Sequence, residues 1–133
     1  MRKSLIGTIL VGSYFLGGCS AALTEDEACL EFLHYLGEVN STLEGYTENI
    51  DDEDSRNRWA NRMSELGAEI PDIRVGDDAI AEAFGDYGLA VQQYSAVLTG
   101  TEEQFLADYE NGNFSSASDE LFIQGAKMQR LCS

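Results

Sequence analysis

The chain has 133 residues, of which 24 are acidic and eight basic, and its formal net charge is −16. A surface this negative lacks the cations that neutralise phosphate, which excludes nucleic acid and anionic lipid headgroups as partners. The length bounds it to one domain with a real core, and regularly spaced residues within its 44% apolar content exclude a disordered acidic tail.

The first element in chain order is an export signal. Met1-Arg2-Lys3 is basic, Leu5 to Leu16 is uncharged and mostly apolar, and small residues then lead to Cys19. Leu16-Gly17-Gly18-Cys19 resembles a bacterial lipobox. The resemblance implies that residues 1–18 are a signal peptide, and that Cys19 takes a thioether-linked lipid and becomes the first mature residue. Two other readings fit the same stretch. One is an uncleaved anchor, since the uncharged run from Ser4 to Leu23 is about as long as a membrane span. The other is ordinary cleavage after Ala21 or Ala22, which exports the domain free. Arg2 and Lys3 belong to the leader, so from Cys19 onward 24 acids face six bases and the charge is −18.

From Leu16 to Cys29 the chain resembles small lipoproteins of Gram-positive actinobacteria, with a short linker (19–24), an acidic helix start and an early cysteine. Five of the six mature basic residues are arginine, which suits a GC-rich genome. In a Gram-negative host, Ser20 would resemble an outer-membrane sorting signal. With Cys19 lipidated, Cys29 and Cys132 remain as a pair in an oxidising compartment, and neither lies in a CxxC motif. A loop of ~100 residues closed by that bond is worth up to about 4.7 kcal/mol on the chain-entropy model.

Residues 25–133 read as a helical domain. Thr24 and Glu27 form a capping box, and Cys29, Phe32, Leu36, Val39, Leu43, Tyr46 and Ile50 follow at spacings of three and four. Asp51-Asp52-Glu53-Asp54 precedes a second helix with Trp59, Met63, Leu66 and Ile70 in phase, ended by Pro71. Asp77 or Asp78 caps a third helix carrying Ile80, Phe84, Tyr87, Val91, Tyr94 and Leu98. Thr101 and Gln104 open a fourth, which Asn111-Gly112-Asn113 interrupts before a restart at Ser116 to Asp119. No segment alternates with period two. The expectation is an all-α, up-and-down four-helix bundle whose last helix is broken or kinked. Its N- and C-terminal helices are tied by Cys29–Cys132, because the first helix starts and the fourth ends at the same end of such a bundle.

Chemistry-bearing motifs are few. Glu31-Phe32-Leu33-His34 is an E-x-x-H string, but a di-iron bundle needs two such strings and this chain has a single histidine, spaced to point outward. An EF-hand counted from Asp51 would need Gly and Glu where Arg56 and Arg62 stand. There is no phosphate loop, nucleophile elbow, zinc motif or cofactor fingerprint, so the chain reads as a non-enzyme. The aromatic set Phe32, Tyr46, Trp59, Phe84, Tyr87 and Tyr94 falls on the seams and reads as core. Its alternative is the lining of an apolar ligand cavity, with Gly85 and Gly88 either leaving a gap or allowing close helix contact.

The sequence therefore leads to a cell-envelope lipoprotein, attached to the membrane through lipid on Cys19, that serves as a partner-binding or accessory module. The alternative is a lipoprotein binding a small apolar ligand or a cation. One patch stands out for the second role or for a basic protein partner. Asp51, Asp52, Glu53, Asp54, Glu102 and Glu103 are expected together at the end remote from Cys19, since the linker Ser20–Leu23 spans at most roughly 14 Å.

Overall fold

The computed structural model describes residues 21–133; the expected signal segment, Cys19 and Ser20 lie outside them. Five helices follow in order: α1 (Glu25–Glu48), α2 (Glu53–Glu69), α3 (Asp78–Leu98), α4 (Glu102–Glu110) and α5 (Asn113–Leu131), with a 3-10 turn at Ile70–Asp72. The described residues form no strand; a single parallel bridge joins Leu23 to Val75.

The helix starts are where local chemistry dictates. Thr24 and Thr101 each make a complete capping box, with Glu27 and Gln104 respectively, and the Asp77 carboxylate accepts the Ile80 N–H at 3.0 Å. These side chains satisfy backbone donors that a helix start leaves unpaired. Two boundaries differ from the sequence reading. Pro71 does not end the second helix abruptly but sits inside the 3-10 turn, where the missing N–H costs nothing and Ile70 stays buried. The last helix restarts at Asn113, ahead of Ser116, because Gly112 makes the whole reversal by itself at φ +87°.

α3 is the hub. It packs along α2 and α5 and touches α1 and α4, and all six of its seam residues are buried. Phe32, Met63, Leu66, Phe84, Tyr87 and Met128 belong to one core cluster, while Tyr46, Ala60, Tyr94 and Leu98 form a second toward the α1–α2 turn. α1 leans mainly on α2. The approach is close, since a Cβ at Gly45 would lie 2.5 Å from the Trp59 ring. Gly88 lets Pro71 approach in the same way, so of the two sequence alternatives for that glycine the close contact is observed.

Two sets of contacts fix the ends. At one, the Leu23 N–H donates to the Arg74 carbonyl (2.8 Å), the Gly76 N–H donates to the Leu23 carbonyl (3.0 Å), and Cys29 is bonded to Cys132 with a Cα–Cα distance of 5.6 Å. The expected disulfide is present and joins the first helix to the end of the last. At the other end, Arg56 and Asn57 hold the α1–α2 turn against the α3–α4 turn.

Candidate functional site

The acidic end assembles from two helix starts. Asp51 and Asp52 lie in the turn before α2, Glu53 and Asp54 in its first turn, and Glu102 and Glu103 in the first turn of α4; all six are exposed. What brings the turns together is a cation. Arg56 is only 3% exposed, and its Nη1 donates to the Ile50 carbonyl at 2.7 Å and its Nη2 to the Gly100 carbonyl at 3.5 Å. Its guanidinium lies 5.9 Å from the centre of the Phe105 ring. The Asn57 side-chain oxygen accepts the Gly100 N–H at 2.9 Å. Arg56 bonds to carbonyls here, and the six carboxylates stay on the solvent side. The Ser55 hydroxyl donates to Asp52 at 2.7 Å and holds that carboxyl below its usual range. Among the described residues no three His, Cys, Asp or Glu side chains are grouped so as to hold a metal ion.

His34 is exposed, with its ring 5.3 Å from that of Tyr35, whose hydroxyl donates to Glu69 at 3.3 Å. Burial and the carboxylates of Glu69 and Glu31 push the Tyr35 phenol up to about 12. The glutamates around it are engaged elsewhere: Arg62 pairs with Glu38 (3.2 Å), Glu65 (3.3 Å) and Glu69 (3.4 Å).

The feature the sequence did not locate is a groove between α1 and α5. These helices are bonded at Cys29–Cys132 but make little backbone contact beyond it. Leu36 and Leu43 form one wall, Leu121 and Phe122 the other, and Tyr87 and Tyr94 of α3 are the floor, around a hollow of about 280 Å³. The remaining lining is Val39, Asn40, Ser118, Gly125, Ala126 and Gln129, so no charged side chain enters it. A second hollow of about 550 Å³ lies at the disulfide end beside Leu30, Leu33 and Leu131, with Glu25 and Asp26 also on its edge; Gln129 lines both hollows. Phe122 is 78% exposed, and Leu30, Leu33 and Ile123 are also open to solvent.

The floor has one unusual group. Tyr87 is 2% exposed and stacks edge-on against Phe32, and burial alone pushes its phenol up to about 12. Its hydroxyl makes no hydrogen bond among the described residues. Tyr94 differs, because the Ser118 side chain beside it partly offsets the rise that burial causes. Gly125 leaves the outer edge of the Tyr87 ring uncovered; a Cβ there would lie 3.5 Å from Tyr87 Cε1.

The aromatic residues thus divide between the two sequence readings. Tyr46 and Phe84 are core, Trp59 packs half-buried against that core, Phe32 is core that also lines the hollow at the disulfide end, and Tyr87 and Tyr94 are core on one side and groove floor on the other. Gly85 has open space at its Cβ position, but the gap in the fold is made by Gly125. No helix among the described residues is long and apolar enough to cross a membrane. No family model matches the chain, and neither a curated protein nor a solved structure matches it.

Proposed function

We propose that the chain is a lipid-anchored, non-enzymatic binding module of the cell envelope, tethered through Cys19 on the extracytoplasmic side, and that its binding face is the α1–α5 groove. One observation carries the reading: an uncharged, mostly apolar furrow persists on a chain in which 24% of the residues are charged. Pockets built of apolar walls with a few neutral polar groups are the usual form of ligand sites. The helix order supports an up-and-down four-helix scheme in which α5 is the fourth member and α4 folds against its start, with the Phe105 and Phe114 rings 5.8 Å apart. On that scheme the tether meets the disulfide end. The acidic end then faces outward, about 36 Å away along the 24 residues of α1. Its exposed carboxylates would speed the encounter with a basic partner more than they would strengthen its binding.

The test places a photocrosslinking amino acid at Phe122 or at Glu53 of the full chain in an exporting host. The reading expects an adduct at 122, none at 53, and the chain in the membrane fraction. Cys19→Ala should leave the chain unprocessed or release it from that fraction. Adducts confined to position 53 would move the binding face to the acidic end. Normal trimming and unchanged membrane attachment of Cys19→Ala would remove the lipid tether.

A further inference from the structure

We propose that the α1–α5 groove is a site for one long acyl chain of an uncharged ester lipid drawn from the membrane, entered from the disulfide end. The proposal deepens, and rests on, the reading of this groove as the binding face. The lining selects the charge of the ligand. Its polar groups are neutral amides and hydroxyls, so nothing inside can pair an ion, and an unpaired buried ion is costly. Glu25 and Asp26 stand beside the outer hollow, where both repel an anionic head. A free fatty-acid carboxylate is therefore disfavoured at the mouth and inside.

The floor selects an acceptor. Tyr87 lines the groove beside Gly125, and its hydroxyl is a donor that bonds to no other described residue. An ester carbonyl is a neutral acceptor that can take that bond, and a plain hydrocarbon has none. The linings of the two hollows, which meet at Gln129, together extend about 21 Å along α1 from Cys29 to Leu43, the length of an acyl chain with its ester. A second copy of this chain is the poorer occupant, since two bodies of charge −18 repel each other on approach.

The intact exported chain, reconstituted in phosphatidylcholine vesicles, would be irradiated with monopalmitoylglycerol carrying a diazirine in its acyl chain. Label is expected on the groove peptides of α1 and α5. Unlabelled monopalmitoylglycerol should compete at least tenfold better than palmitate or hexadecane. Gly125→Leu should lower the label at least tenfold by filling the space over Tyr87. Phe122→Glu should lower it at least fivefold, at a site exposed enough to leave folding intact, as circular dichroism will verify for both variants.

Label outside the groove, equal competition by palmitate, or full labelling of both variants overturns the proposal. So does labelling that appears only in Cys19→Ala, which would mean that the chain's own lipid fills the groove, or a crosslinked dimer through α5. If lipid label fails while the crosslinker at 122 still traps another molecule, the acyl assignment falls and the binding face stands. If both fail, both fall.

Discussion

At the scale of single residues, Arg56 is the side chain whose role departs furthest from its position in the sequence. It stands two residues beyond four consecutive acids, yet no ion pair joins it to them among the described residues. Instead it shares a buried helix face with Ala60, Met63 and Gly67 and bonds backbone carbonyls of two different turns. Its phase, at i, i+4 and i+7 with Ala60 and Met63, was the available signal, but a pattern built from alanine and glycine is weak in apolar weight. Hydrogen bonds from a charged donor contribute about 1.5–3 kcal/mol. Arg56→Gln is expected to cost about 2–3 kcal/mol in urea denaturation. A change below about 0.5 kcal/mol would mean that the turns hold without it. The buried phenols give a second expectation. Tyr46 and Tyr87 are both raised to about 12, first by burial. An unfolded phenol titrates near 10, so the stability these groups contribute is full below about pH 10 and is lost as pH rises through about 12. Ultraviolet titration should show both still neutral at pH 10, with ionisation and loss of helix coinciding above it.

At the scale of elements, legibility followed size. The third helix was readable because its large apolar residues all face inward, and every one of the six is buried. The caps and the break at Gly112 were readable because each is local chemistry. The face read for the first helix is turned partly aside: Phe32, Val39 and Tyr46 are buried as read, whereas Ile50 is exposed beyond the helix end. The buried positions of α1 also include Ala28, Thr42 and Gly45, small residues that let α2 come near, while Leu36 and Leu43 are half-buried and form the groove wall. A seam counted on large side chains therefore pointed partly between α1 and α5, where the fold leaves space. The groove itself was not legible, because it depends on how far apart two helices stand. Gly112 supplies a test of the α4–α5 break. Nothing lies within 4 Å of a Cβ built there, so Gly112→Ala is penalised by backbone conformation alone. The expected loss is about 1–2 kcal/mol by chemical denaturation. A neutral result would mean that the junction relaxes into a continuous helix.

At the scale of the whole molecule, charge sets the conditions for stability. Among the described residues Arg62 gathers three carboxylates and Lys127 pairs with Asp86 at 3.2 Å, which leaves most of the 24 acids in solvent. Self-repulsion at this density opposes compaction, and salt screens it. The melting temperature is expected to be higher in 0.5 M sodium chloride than at low salt, and a flat response in a calorimetric scan would mean that the charges stand too far apart to matter. On the proposed export route the bond between Cys29 and Cys132 has a competitor. The sequence separation of the bonded pair is 103, so on the proposed route Cys29 would reach the oxidising side well before its partner does. In that interval the nearest thiol is Cys19, and a loop about tenfold shorter is about 2 kcal/mol easier to close. Acylation of Cys19 removes this competitor, so the proposed lipid acts as a protecting group as well as a tether. A chain exported with lipidation inhibited should then yield a mixture of 19–29 and 29–132 bonds on non-reducing peptide mapping, and Cys19→Ala should return it to the single native bond.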